Sequence, residues 1–402
     1  MSTDELRFNP RVEAMQPSAT LAMTARAKQR LRDGHPVISL SAGEPDFDTP
    51  APISSAAIAA IQEGFTHYTM NTGFPGLREA VARKLARDNG LKYTPDEIVC
   101  SNGAKQSLAM AVAVLCRPGD EVLIPAPYWV SYPEMVRFAG ADPIVMPSTA
   151  ANDYRILPEA LEAAISDRTR LLILCTPSNP TGAVYSKDEL GAVADVLRRH
   201  PQIYVISDEI YEYVLYDAVH VSFASLPDMW ARTITINGFS KGYAMTGWRL
   251  GYLAAPVPIS RAVAKMQSQF TSAPNSIAQK AGVAALEMDM APVREMVMAF
   301  RKRRDFVLGR LRVIDEIHCP KPEGAFYLFP EVSAFYGRRT MKGKSIDNAE
   351  DLCIYLLETY NVALVPGHAF GAADGLRISY AASMADLEEA MRRIDDGLTA
   401  LK

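Results

Sequence analysis

The chain has little of what would mark an extracellular, metal-bound or membrane-spanning protein. Its cysteines are five in 402 residues, at Cys100, Cys116, Cys175, Cys319 and Cys353, scattered and without a Cys-x-x-Cys. An odd, unpatterned set argues against a disulfide framework or a thiolate metal site and predicts buried thiols of a cytoplasmic protein. The six histidines show no metal spacing, so no metal is expected. No apolar run approaches the ~18 residues of a membrane span, and the opening MSTDELRF is polar and acidic, without a signal-peptide core. Net charge is −4 with no dominant basic block, which argues against a nucleic-acid or membrane partner. The one basic run, Arg301 to Arg304, is expected on a helix and reads as its solvated face. Internal repeats and low-complexity segments are absent as well.

What is present is an ordinary globular composition, 49% hydrophobic and 22% charged. A chain of this length suits two lobes and buries roughly three quarters of its unfolded surface. Residues 1–17 read as irregular. Ser18 or Thr20 caps a helix that reaches about Arg32 and stops at Gly34. A short strand at 37–40 leads into the turn-rich SAGEPDF, where Gly43 lets backbone approach a ligand. A helix at 53–62 follows, then Tyr68 and the loop NTGFPG, then a helix at 77–88.

From residue 97 strands and helices alternate, the pattern of an α/β domain with a largely parallel sheet. Strands are expected at 97–100, 121–124, 170–175, 203–206, 233–236 and 250–255. Behind the first come Gly103, Ala104 and Lys105, a glycine turn that opens a helix and so offers free N–H groups to an anion. Trp129 stands just past the second, Asn179 past the third and Asp208 at the end of the fourth. Ser186 to Glu189 has capping-box spacing for a helix reaching about Arg199. Lys241 lies in the turn after the fifth strand, with Arg249 eight residues on. A lone lysine is ordinarily a solvated charge. A neighbouring cation and partial burial would lower its pKa and make it a nucleophile toward carbonyls. In an open parallel sheet these strand ends converge on one crevice.

After residue 255 the chain turns mainly helical, with a long basic helix at 293–312. Strands are expected at 325–329, 362–365 and 376–380, and helices at 349–359 and 386–398. Arg377 stands inside the last strand, either at an edge or aimed at an anion. The expected plan is discontinuous: 1–48 and 301–402 form a small lobe around a large domain at 49–300.

These parts ask for one chemistry. A lysine able to form an imine, a buried carboxylate, an anion cradle with an arginine, and an aromatic ring over a flat ligand are what pyridoxal phosphate requires. The segments PSAT, SAGEPDFDTP, PAPYWVSYPEMV, PSNPTGAVYS, SDEIYE, NGFSKGYAMTGWRLGY, EGAFY and LRISYA span nearly the whole chain. On them the chain resembles the class I, fold-type-I aminotransferases, and closely the prokaryotic branch of aspartate aminotransferases. The resemblance implies a seven-stranded, mostly parallel sheet and a homodimer with active sites at the subunit interface. It implies that Lys241 is the Schiff-base lysine, Asp208 the partner of the pyridinium nitrogen, and Tyr211 and Asn179 the groups on the 3′-oxygen. Trp129 would stack on the cofactor, and Gly103, Ala104, Lys105 and Arg249 would hold its phosphate, with Tyr68 donated across the dimer. Arg377 would clamp the substrate α-carboxylate beside Asn179 and Trp129, and Gly43 would contact the substrate through its backbone.

For the substrate, the resemblance places Lys105, Ser18 and Thr20 on a distal carboxylate, which implies L-aspartate with 2-oxoglutarate as acceptor. Relatives that also take prephenate carry a lysine just before PSAT, where this chain has Gln16. Aromatic amino acids, alanine or prephenate are alternative substrates, and C–S β-elimination an alternative reaction. A non-catalytic cofactor-binding module of the kind fused to a DNA-binding domain is a further alternative. The lack of an N-terminal helix-turn-helix extension and the intact Lys241, Asp208 and Arg377 speak against it.

Overall fold

A computed structural model describes residues 7–402. The polar opening read from the sequence begins in residues 1–6, which lie outside the described residues. The stretch expected to be irregular holds one short helix, α1 (Pro10–Glu13), started by the Asn9 side chain on Arg11 N and by Pro10 in the first turn. Next comes α2 (Ala19–Arg32), capped by Ser18 as expected. Then follow β1 (Ile38–Ser39), α3 (Ala51–Gln62) and α4 (Pro75–Asn89).

The alternating region runs β2 (Ile98–Ser101), α5 (Ala104–Leu115), β3 (Glu121–Pro125), α6 (Tyr132–Ala139), β4 (Asp142–Met146) and α7 (Pro158–Ala164). It continues with β5 (Thr169–Cys175), α8 (Lys187–Arg198), β6 (Tyr204–Asp208), β7 (Thr233–Gly238) and β8 (Gly251–Ala254). Of these, α6, β4 and α7 were not expected. Strand β4 carries Pro143 and is half-exposed; it lies at the sheet edge, where a missing N–H is tolerated.

Seven strands form one sheet in the order β2-β8-β7-β6-β5-β3-β4. Every pairing is parallel except those of β8 with β2 and β7. Both faces are covered, so alternate residues of one strand enter different cores. Leu171 and Ile173 of β5 pack with α5 and α9 (Val257–Phe270), while Leu172 and Leu174 pack with α8. Helices α3, α4 and α10 (Ser276–Glu287) close the β2 end through Ile53, Leu77 and Ala281.

The rest of the chain is α11 (Ala291–Leu311), β9 (Tyr327–Leu328), α12 (Ala349–Tyr360), β10 (Val362–Ala363), β11 (Val365–Pro366), β12 (Leu376–Ser379) and α13 (Met384–Thr399). Met23 and Ala27 of α2 share a core with Phe300, Leu352, Leu356, Leu387 and Ile394, so both ends of the chain meet in one packed unit. The strand expected at 325–329 shrinks to Tyr327–Leu328: Ala325 takes a positive φ of 54° before it, and Pro330, which has no N–H, follows close behind it. The run expected as one strand at 362–365 serves two sheets. Its first half pairs parallel with β1, and its second half antiparallel with β12.

The reading of Arg301 to Arg304 as a solvated face holds for the exposed Arg301 and Lys302 and needs correction for Arg303 and Arg304. Arg304 is 1% exposed, lies 4.6 Å over the Tyr216 ring, and donates to Pro322 O at 3.0 Å and Asp217 Oδ2 at 3.1 Å. Arg303 bonds Asp46 at 2.6 Å and covers Phe47 and Phe300. Helix α11 is packed on more than one side, so consecutive arginines turn inward and each finds a carboxylate and an aromatic face. Sequence alone registered their charge but not these partners.

Candidate active site

The carboxyl ends of β2, β3, β5, β6 and β7 converge, as a mostly parallel sheet dictates. A cavity of about 420 Å³ opens there. It is lined by Ser18, Thr20, Gly43, Ala104, Lys105, Trp129, Asn179, Asp208, Tyr211, Lys241, Arg249 and Arg377. Two expected residues do not line it. Gly103 lies directly behind Ala104, and Tyr68 is 99% exposed outside the cavity.

Lys241 follows β7 through the buried Phe239 and Ser240, and its Nζ donates to the carbonyl of Gly43. Burial lowers the amine to about 8, helped by the positive charges of Arg377 and Arg249 and opposed by Glu44 and Asp208. At pH 7 about a tenth of such an amine is neutral, far more than of a free lysine.

Asp208 ends β6 and is 4% exposed. Its Oδ2 accepts from the Tyr132 hydroxyl at 2.6 Å and its Oδ1 from Ile210 N at 3.3 Å. Burial pushes the carboxyl up to about 6; Glu209 adds to that, while the two hydrogen bonds and Lys241 pull it down. The result is a carboxylate held ready for a cationic or proton-bearing partner.

Arg377 in β12 is 2% exposed. It donates to Asn179 Oδ1 at 3.0 Å and to Ser41 O at 2.7 Å, and it lies over the rings of Tyr327 and Phe370. Its Nε is buried without a partner, and Thr20 Oγ1 likewise. An arginine with neutral neighbours and an unspent N–H is built for an anion. Burial draws its pKa down. Tyr211 shares a 2.9 Å hydrogen bond with Tyr327, and burial raises its hydroxyl well above the ordinary phenol value.

The anion cradle has a clear local cause. Gly103 takes a φ of 84° at the start of α5, which has no side-chain cap, so the N–H groups of Ala104 and Lys105 are left free, while Gly103 N donates to Ser101 O at 2.8 Å and Gln106 N to Gly103 O at 3.0 Å. A Cβ at Gly103 would stand 2.6 Å from Arg249 Nη2, and one at Gly251 would stand 2.4 Å from Ala104 N. Glycine at both positions lets strand, turn and arginine close on one point. Lys105 lies 4.8 Å over the Trp129 ring, and burial, with Arg249 nearby, lowers its pKa.

Among the lining residues the cations are Lys105, Lys241, Arg249 and Arg377, against the single acid Asp208. An excess of that size, partly desolvated, calls for a ligand with more than one anionic group. The donor set also fits pyridoxal phosphate itself: an amine for its aldehyde, a carboxylate for its ring nitrogen, a phenol, an indole, and a glycine cradle with arginine for its phosphate. Sequence reasoning missed Tyr132, Cys175, Ser240 and Thr246, which also line the cavity. Ser240 stood beside Lys241 and could have been found by adjacency. Nothing in the segment PAPYWVSYPEMV separates Tyr132 from a packing tyrosine.

Comparison with known proteins agrees with this chemistry. The family model described as aminotransferase class I and II matches residues 35–394. A bifunctional aspartate aminotransferase and glutamate/aspartate-prephenate aminotransferase of Petunia hybrida is 53% identical over 99% of this chain and 84% of its own length. The crystal structure of the aspartate aminotransferase from Rhizobium meliloti superposes with a TM-score of 0.96 at 44% identity, over 99% of this chain and all of that one. The aspartate aminotransferase of Thermus thermophilus with maleate gives a TM-score of 0.92 at 40% identity, over 98% of this chain and all of that one.

Proposed function

We propose that this chain, which belongs to the class I and II aminotransferases, moves the amino group of L-aspartate to 2-oxoglutarate, forming oxaloacetate and L-glutamate. The observation that carries this reading is the junction of Lys241, Asp208 and Arg377 in one cavity with a surplus of positive charge. Pyridoxal phosphate supplies an aldehyde that takes up an amino group and a ring that withdraws electrons from the carbon bearing it.

The chain's own residues do the rest. Asp208 would keep the ring nitrogen protonated, Tyr211 and Asn179 would hold the 3′-oxygen, and the Trp129 indole would cover the ring. The turn at Gly103, through the N–H groups of Ala104 and Lys105, would hold the phosphate with Arg249. Arg377, beside Asn179, Trp129 and the Gly43 backbone, would fix the substrate α-carboxylate in a bidentate clamp. Lys105, Ser18 and Thr20 would meet the distal carboxylate; Thr20 Oγ1 has no other partner. Lys241 Nζ, once free, would carry the proton from the substrate Cα, a task worth roughly 10²–10⁴-fold. Donor and acceptor would use the same groups in turn, so the kinetics would be ping-pong.

The same reading divides the chain at 48 and 300, with 1–48 and 301–402 forming the smaller lobe; the core shared by α2, α11, α12 and α13 supports that division. It makes the working form a cytoplasmic homodimer, in which the exposed Tyr68 reaches the cavity of a second copy. Five free thiols fit a reducing compartment, and no helix among the described residues is long and apolar enough to cross a membrane.

A second reading adds prephenate as a substrate, because relatives from Petunia hybrida and Nitrosomonas europaea carry that activity in their names. Here Gln16 is exposed, and its backbone N–H is spent on Glu134 Oε2 at 2.9 Å.

An absorbance spectrum of the protein with pyridoxal phosphate tests the whole reading. A visible cofactor band that L-aspartate discharges and 2-oxoglutarate restores is the expected result. A band that aspartate leaves untouched would move the search to other donors, and no band at all would overturn the role of Lys241.

A further inference from the structure

We infer that Tyr132 is a positioning residue for Asp208: its hydroxyl, together with the Ile210 N–H, takes one lone pair on each carboxylate oxygen and keeps Asp208 ionised for the ring nitrogen of the bound cofactor. This rests on the reading that Asp208 pairs with that nitrogen. Tyr132 is 2% exposed and opens α6, so its ring cannot swing to solvent. The Trp129 indole meets it edge to face, with centroids 5.4 Å apart at 82°. The indole proposed to cover the cofactor therefore also packs the tyrosine that holds the cofactor's acid.

A phenol has one proton to give, and here it goes to Oδ2 at 2.6 Å, the length of a charge-assisted bond. Each oxygen keeps a second lone pair for the cofactor. The other titratable groups facing Asp208 are Cys175 at the end of β5, Glu209 next in the chain, and Lys241 after β7. Of these only Lys241 favours the charged form, and its Nζ is turned to the Gly43 carbonyl. That leaves Tyr132 as the side chain that hydrogen-bonds the carboxylate directly, against burial and the charge of Glu209.

The sign follows from the bond. A donated hydrogen bond favours the ionised carboxyl, so losing it makes Asp208 easier to protonate, and a protonated Asp208 cannot pair with a pyridinium. The test is the affinity of the cofactor-free protein for pyridoxal phosphate, by fluorescence titration from pH 5 to 9. In Tyr132→Phe the acid limb of that affinity should move up by about one pH unit. The loss should be about tenfold at pH 5 and less than about twofold above pH 8. The cofactor's own titrations are common to both proteins and cancel in the comparison. In an Asp208→Asn background the same substitution should leave the pH dependence unchanged. Incorporating 3-fluorotyrosine at position 132, a stronger donor of nearly the same shape, should move the limb down. Unmoved acid limbs in both replacements, or an equal loss at every pH, would overturn the inference and leave the cofactor reading standing. Wild-type protein that binds no pyridoxal phosphate at any pH would overturn both.

Discussion

Lys241 owes its chemistry to where it is held. A free lysine stays charged to about pH 10.4, whereas burial brings this one to about 8. The ammonium has no lone pair, so below that value most copies cannot attack an aldehyde, and above it most can. The rate at which cofactor-free protein takes up pyridoxal phosphate should therefore rise with pH to a half-maximum near 8, read by stopped-flow absorbance. A flat profile from pH 6 to 9 would contradict the burial argument. Arg377 is the second residue where geometry matters more than charge. Its fork is fixed by Asn179, Ser41 and two rings. Arg377→Lys keeps the charge and loses the fork, so the KM for L-aspartate should rise about a hundredfold. Cofactor affinity should change little, and equal losses in both would put its role elsewhere. Both residues were legible in the sequence as types in a pattern. Tyr132 was not, because a phenol on a carboxylate and a phenol in a core look alike until the fold brings the start of α6 to the end of β6.

Helix ends were the most readable elements, because their signals are local. Ser186 and Glu189 form the expected reciprocal pair at the start of α8, with Glu189 N on Ser186 Oγ at 3.2 Å and Ser186 N on Glu189 Oε2 at 2.7 Å. Ser186→Ala should cost about 1 kcal/mol in urea unfolding and leave turnover unchanged, since α8 packs away from the cavity. A loss of activity at unchanged stability would link α8 to the site in a way the contacts do not. Strands were less readable. Those buried on both faces announced themselves as apolar runs, whereas edge strand β4 opens on Asp142 and Pro143 and keeps only three apolar residues after them. The division of 362–366 between two sheets has no local signal, because register depends on which partner arrives.

At the scale of the molecule, the proposed site is complete only if a second copy supplies Tyr68. That makes a mixing experiment informative. Lys241→Ala and Tyr68→Ala proteins, each impaired alone, should regain activity when unfolded and refolded together. One of the two sites in a mixed dimer would then have Lys241 from one chain and Tyr68 from the other. Activity that never exceeds the sum of the two parents would place Tyr68 in its own chain's site or in none. The inward-facing Arg303 and Arg304 also belong to this scale. Arg303 ties α11 to Asp46, three residues from Gly43, so the loop that receives Lys241 is anchored to the helix running between the two ends of the chain.

The sequence by itself determined the alternation of strands and helices, the capped helix ends, and the set of reactive residue types at strand ends. These follow from periodicity, turn chemistry and charge, which act over a few neighbours. Tertiary structure alone decided that Arg304 is buried, that Tyr132 holds Asp208, that Tyr68 lies outside its own cavity, and that the amine of Lys241 is partly neutral near pH 7. Each of these depends on desolvation or on a partner far along the chain, and neither is fixed until the sheet, its flanking helices and the two chain ends have packed together.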